Sequence, residues 1–313
     1  MSRRLPALVA ACCVLLAACS ATPSAPPPVS GSPSGSVVPA SGSQAPSGSS
    51  TPAVAARHVW LIVLENKDYA SIIGSPDAPY LTSLAHQYAL ASNYHGVDHP
   101  SQPNYMALFS GSTQGIGDDS VYNVDAPNVA DQLEHAGLSW RVYAENMPPD
   151  CFVGASAKGG ADGDGTYVRK HNPAISFSSI SRDPQRCANI TDFSHFDAGA
   201  ANFSLIVPNQ CHDMHDCAVA DGDAWLRSFL PRITESPAYD DGGLVLITFD
   251  EEHGKSEGNQ VATIAISPSI HQGTDSSQRY DHYSLLRTVQ QLFGLPCLAK
   301  SCDATPMTDL LGG

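Results

Sequence analysis

Positive charge is scarce in this sequence. Its 313 residues carry 16 Lys and Arg against 31 Asp and Glu, a formal net charge of -15. Such an acidic surface argues against nucleic acid or an anionic membrane as a partner for the bulk of the molecule. Any phosphate it binds must be met by a metal ion or by a few local cations. Long apolar runs are missing too: Leu8 to Leu16 is too short to span a bilayer. No CxxC spacing occurs, which argues against cysteine metal ligation. Between Ser20 and Ala56 there is no aromatic and no charged residue. A segment built almost entirely from Ser, Pro, Gly, Ala, Thr and Val cannot bury enough apolar surface to offset its ordering entropy. No internal repeat is present.

What is present begins with an export signal. Arg3 and Arg4 precede the short apolar stretch, and Leu16-Ala17-Ala18-Cys19 closes it with small residues and a cysteine. This pattern is similar to a bacterial lipobox, so residues 1–18 are expected to be a leader and Cys19 the lipidated first residue of the exported chain. Residues 19–56 then form a tether with a reach of about 30–40 Å. The membrane is expected to be a partner through this anchor alone, on the outer face of the cell membrane. Residues 57–313 are long enough for one domain with a core of its own. Six cysteines fall in it, an even number that suits disulfides in an exported domain. Of the fifteen possible connectivities, the local one pairs Cys211 with Cys217 and Cys297 with Cys302, leaving Cys151 with Cys187.

Periodicity points to an α/β fold with a mainly parallel central sheet flanked by helices. His58–Leu64 and Gly243–Phe249 are continuous apolar runs of the kind that form buried parallel strands. Further strands are expected at Leu138–Tyr143, Phe203–Val207 and Val261–Ser267. Helices are expected over Pro79–Ala91, Asn104–Ser110, Asn128–Ala136, Asp223–Ile233 and Ser284–Phe293. The stretch from Asn146 to Asp197 is Gly-, Pro-, Asn- and Ser-rich and is expected to be irregular.

Both strong strands end in oxygen-bearing side chains, Glu65-Asn66 and Asp250-Glu251. In open parallel sheets the functional crevice lies beyond the carboxyl ends of the strands. If the two strands run the same way, these groups converge on one edge, and hard oxygen donors suit one divalent cation such as Mg²⁺, Ca²⁺ or Mn²⁺. Ser101, in His99-Pro-Ser-Gln-Pro-Asn-Tyr105, precedes an expected helix. It is expected at or just before the N-cap, where free backbone N–H groups favour an anion. A serine attacks phosphorus only when a base or a metal activates it, and the acidic cluster supplies the metal site.

These stretches, with Tyr143-Ala-Glu-Asn146, His171-Asn-Pro173, Pro208-Asn-Gln-Cys-His-Asp-Met-His-Asp216, Gly258-Asn259 and Asp281-His-Tyr-Ser-Leu-Leu-Arg-Thr288, follow one another in a familiar order. The chain resembles the phosphoesterase family of bacterial and fungal acid phosphatases and bacterial phospholipases C, within the alkaline phosphatase-like superfamily. The resemblance implies metal ligation by Glu65, Asn66, Ser101, Asp250 and Glu251. Ser101 would be the nucleophile of a phosphoserine route, and His171 and His215 phosphate-contacting imidazoliums that favour an acidic optimum. Asn66 would touch both metal and phosphate, with His99 and His282 as further substrate-binding residues. Family aspartates often fill both positions of the later pair; Glu251 here is one methylene longer. A serine nucleophile resembles the phosphatase branch, where a small phosphorylated compound is the substrate, more than the phospholipase branch, where threonine is usual. Phospholipase C or another phosphodiesterase is the alternative, and a non-catalytic lipoprotein that captures phosphate compounds is a second. Oligomeric state is not legible.

Overall fold

The computed structural model describes residues 56–159, 165–254 and 258–312. The expected leader, the lipidated Cys19 and the tether lie outside the described residues. The strands, in chain order, are β1 (His58–Leu64), β2 (Ala89–His95), β3 (Trp140–Ala144), β4 (Ser156–Lys158), β5 (Thr166–Val168), β6 (Ile190–Thr191), β7 (Phe203–Val207), β8 (Gly243–Phe249), β9 (Gln260–Ile266), β10 (Thr274–Ser276) and β11 (Tyr280–Asp281). Nine of them form one sheet in the order β10-β2-β9-β8-β1-β7-β3-β6, with β11 beside β2; β4 and β5 make a separate hairpin. Only β9 runs against the others, being antiparallel to both β8 and β2. The expected mainly parallel α/β sheet is therefore what forms.

β1 and β8 are central and buried on both faces. That explains why their sequences read as unbroken apolar runs and not as alternations. Their register is one-to-one, from His58 opposite Gly243 to Leu64 opposite Phe249. The first residues beyond the two strands are consequently neighbours, and Asp250 N–H donates to the Leu64 carbonyl at 3.0 Å. On the other flank β7 pairs with β1, and the loop leaving β7 returns so that Glu65 N–H donates to the Asp213 carbonyl at 2.8 Å.

Several expected boundaries are corrected. The helix drawn as Pro79–Ala91 ends at Gln87, and Ala89–His95 is β2, between β9 and β10. Ala89-Leu-Ala91 continues a helix-like pattern, but pairing with Ala265, Ile264 and Thr263 of β9 overrides it. The helix expected at Asp223–Ile233 runs Val219–Phe229, and Pro231 starts a separate turn. Asp223 instead caps another helix, accepting from Tyr80 N–H at 3.0 Å and Leu81 N–H at 2.8 Å. The expected irregular stretch after Asn146 contains the β4–β5 hairpin and the edge strand β6. All three disulfides form as paired above: Cys151–Cys187, Cys211–Cys217 and Cys297–Cys302. No helix of the described residues is long and apolar enough to cross a membrane.

Candidate active site

The carboxyl edge of the sheet gathers Glu65, Asn66, Ser101, Asp250 and Glu251. Asn66 adopts a left-handed backbone with φ 50°, a conformation asparagine tolerates better than most residues. The turn aims its N–H at Asp250 Oδ1, 2.9 Å away, and its amide donates to Glu65 Oε2 at 2.9 Å and reaches Ser101 Oγ at 3.3 Å. Ser101 is the first residue of the helix Ser101–Ser110, with Pro100 at the N-cap. Its Oγ lies 3.0 Å from Glu65 Oε2 and 3.1 Å from Glu251 Oε1, so its single proton has two carboxylate acceptors. Gly96 makes room for this packing: a Cβ there would meet the Asp250 carbonyl oxygen at 2.7 Å.

The helix N-terminus is less open than expected. Gln102 N–H already donates to Asp119 Oδ1 at 3.0 Å, and Pro103 has no N–H to offer. Anion binding by free amides at this point is therefore confined to what Asp119 and the proline leave.

Two acids and a phenol absent from the expected set complete the cluster. Tyr105 follows Ser101 by one helical turn, the i,i+4 spacing that puts both on one face, and its hydroxyl donates to Glu65 Oε1 at 2.6 Å. Asp213 is buried, and its Oδ2 lies 3.2 Å from His171 Nδ1. Its place between His212 and His215, in a loop closed by Cys211–Cys217, was the available signal. Asp119, reaching in from the loop after the helix, carried no signal at all.

The histidines divide sharply. His99 Nδ1 contacts Glu251 Oε2. His215 stands half-exposed at the rim, with Nδ1 2.7 Å from Asp216 Oδ1 and its ring 6.2 Å from that of His171. His171 is buried; its Nε2 lies 3.1 Å from Glu65 Oε1 while Nδ1 faces Asp213, and Tyr105 stacks on its ring at 5.1 Å. Burial, with Lys170 and His215 nearby, holds its pKa well below the ordinary histidine value. The ring therefore lies between two carboxyl groups and braces Glu65. His282 packs behind the turn that carries Asp250. It is fully buried, with Nε2 2.6 Å from the Asp250 carbonyl and Nδ1 2.9 Å from Tyr94 Oη, and burial pushes its pKa down to about 4. It supports the turn that carries Asp250 and does not line the site.

The electrostatics follow from crowding acids in a dry place. Burial, then Asp250, raises the Glu65 pKa well above the usual carboxyl range. Burial, then Glu251, raises Asp250 to about 7, and burial, then Glu65, raises Glu251 to about 8. Asp213 is raised by burial and by Glu65. Among the described residues no three His, Cys, Asp or Glu side chains form a ready cation cage by themselves. With the hydroxyl of Ser101 included, Glu65, Asp250 and Glu251 offer hard oxygen donors only, and Asn66, whose amide nitrogen faces Glu65 and Ser101, would join them through its oxygen once the amide turns over. Asp250 Oδ2 is buried without a hydrogen-bond partner, a costly arrangement unless a cation answers it. Glu65, Asn66, Ser101, Asp250 and Glu251 thus fit one divalent ion.

The profile of the Phosphoesterase family matches residues 74–296. A protein of Mycobacterium tuberculosis named phosphatidylinositol-3-phosphatase is 34% identical over 82% of this chain and 83% of its own length. An acid phosphatase of Aspergillus fumigatus is 31% identical over 80% of the chain, which spans only 58% of that longer protein. Non-specific phospholipase C1 of Arabidopsis thaliana is 23% identical over 69% of the chain and 46% of its own length. Among solved structures, the lipoteichoic acid synthase LtaP of Listeria monocytogenes superposes with a TM-score of 0.56 at 10% identity, over 83% of this chain and 77% of that one. A Vibrio parahaemolyticus protein of the alkaline phosphatase superfamily superposes with a TM-score of 0.52 at 12% identity, over 76% and 66%. These superpositions speak for the fold.

Proposed function

The chain belongs to the Phosphoesterase family and is a phosphoric-ester hydrolase, and we propose that it acts on phosphate monoesters through Ser101. The observation that carries this reading is the placement of Ser101 Oγ between Glu65 and Glu251, 3.0 and 3.1 Å away. A nucleophile needs a proton acceptor within hydrogen-bond reach, and Ser101 has two.

In this reading Ser101 attacks phosphorus in line, its proton passes to a flanking carboxylate, and a phosphoserine forms that water later hydrolyses. Tyr105 and His171 hold Glu65 in place, and Asn66 ties Glu65 to Ser101. A divalent cation held by Glu65, Asn66, Ser101, Asp250 and Glu251, when bound, supplies charge neutralisation and favours the ionised hydroxyl. In the same reading His215, at the rim, protonates the departing alcohol, and His99, in contact with Glu251, steadies that carboxylate. The acid phosphatases and the phosphatidylinositol-3-phosphatase among the relatives support a monoester substrate. The plant phospholipases favour the alternative. With the full chain in Mg²⁺, Ca²⁺ or Mn²⁺, 4-nitrophenyl phosphate should be hydrolysed at least ~10-fold more efficiently than phosphatidylcholine vesicles, a gap of ~1.4 kcal/mol in transition-state binding. The reverse preference would overturn the monoester reading in favour of a phospholipase C.

Export and anchoring belong to the same proposal. Three disulfides suit an oxidising compartment, and Cys19 follows the short apolar leader. Palmitate labelling of cells making the chain should mark the protein and vanish in Cys19→Ser; label persisting in that variant excludes Cys19 as the anchor.

A further inference from the structure

Lys170 is not among the residues assigned so far. It sits in the single turn Arg169–His171, next to the histidine that braces Glu65. Its Nζ lies 2.9 Å from Asp119 Oδ2, and the other oxygen of that carboxylate accepts from Gln102 N–H at 3.0 Å. Gln102 adjoins Ser101. The ammonium is thus tied, through one carboxylate, to the amide beside the nucleophile. Its side chain is only 17% exposed, unusual shielding for a lysine. Burial alone pushes the ammonium toward neutrality, but Glu65, Asp119 and Asp250 outweigh it and hold its pKa above the ordinary lysine value.

The site has a use for this charge. Glu65, Asp119, Asp213, Asp250 and Glu251 are five acids that one divalent cation does not balance, and a monoester at neutral pH brings nearly two further negative charges. Lys67, the other lysine near the cluster, is engaged with a backbone carbonyl, its Nζ donating to Asn66 O at 3.1 Å. Lys170 is tied instead, through Asp119, to the Gln102 amide of the helix that begins at Ser101.

On the reading that Ser101 hydrolyses phosphate esters, we infer that the Lys170 ammonium, positioned by Asp119, holds a non-bridging phosphoryl oxygen and sets the preference for monoesters over diesters. A monoester dianion has three non-bridging oxygens and the larger charge, whereas a diester has two such oxygens and a single charge. A fixed cation in a partly dry site therefore favours the monoester more. Asp119 is a positioning residue: it fixes the end of the flexible lysine stem beside the first turn of the Ser101 helix.

The test compares 4-nitrophenyl phosphate with bis(4-nitrophenyl) phosphate for the full chain, Lys170→Gln, Lys170→Arg and Asp119→Asn, with divalent cation present. Lys170→Gln should lower kcat/KM for the monoester ~30-fold, about 2 kcal/mol, and for the diester no more than ~3-fold. Lys170→Arg should restore much of the monoester rate, because the charge is kept. Asp119→Asn should fall between wild type and Lys170→Gln. Equal losses on both substrates, or none, would overturn the inference in favour of a structural ion pair. Calorimetry with inorganic phosphate reads the same contact without turnover. Binding weakened ~10-fold in Lys170→Gln, with an unchanged melting temperature, supports the contact even if the wild type hydrolyses nothing, a result that would count against the esterase reading alone. Unchanged phosphate binding overturns the contact whatever the turnover.

Discussion

Ser101→Ala should lower kcat on an aryl phosphate at least ~10³-fold while leaving the fold in place. The size of the loss follows from what the hydroxyl does. It is the atom that attacks, and among the described residues the other hydroxyl that reaches these carboxylates, the phenol of Tyr105, is spent on Glu65 Oε1, and burial, then Glu65, holds its pKa well above the ordinary phenol value. The fold should tolerate the change because alanine suits a first-turn helix position and the rest of the cluster keeps its partners. One hydrogen bond to a charged group is lost, about 1.5–3 kcal/mol, offset by relief of crowding around a hydroxyl that is 1% exposed. The melting temperature should therefore move by no more than about 10 °C. Rapid quenching of the wild type with labelled substrate should leave phosphate on the protein, and the variant should leave none. Turnover above a tenth of wild type in Ser101→Ala would mean that water attacks the ester directly. Phosphate binding with no turnover in either protein would instead favour a capture function.

The parts of this site legible in the sequence were those attached to strong strands. Glu65 and Asp250 follow two runs whose composition marks them as buried and parallel, and one-to-one register then makes them neighbours. Ser101 was legible through its proline-flanked position before a helix, although Pro100 and not Ser101 proved to be the cap. The sequence does not tell the histidines apart, for a physical reason. His171 and His282 have the same side chain as His215, and only burial separates a ring that buttresses a carboxylate or a carbonyl from one facing solvent. Asp119 and Lys170 were not legible because their meeting depends on the path of the loop after the Ser101 helix and of the turn before His171. β2 was lost to its alanines, which read as helix until the strands beside it are known.

Stripping divalent cations should make stability depend on pH in a way the loaded protein does not show. Asp250 and Glu251 have folded-state pKa values raised by burial and by neighbouring acids to about 7 and about 8, whereas in the unfolded chain both titrate near ~4. The native state therefore binds more protons than the unfolded state between those limits, and stability falls as pH rises through them. Below ~4 both states are protonated and the penalty is absent; above about 8 it is complete. In EDTA the melting temperature should accordingly drop from pH 5 to pH 8. Restoring Mg²⁺, Ca²⁺ or Mn²⁺ at a hundred times its dissociation constant should return about 2.7 kcal/mol, or about 5–10 °C for a domain of this size. The gain should be larger at pH 8 than at pH 5, because protons compete for the same oxygens. Glu65→Gln should separate ligand from bystander: it removes one ligand oxygen, so the variant should gain little from added cation at pH 8. Equal melting of wild type with and without EDTA at pH 8 would remove the cation from the mechanism and leave the carboxylates acting on Ser101 as bases alone.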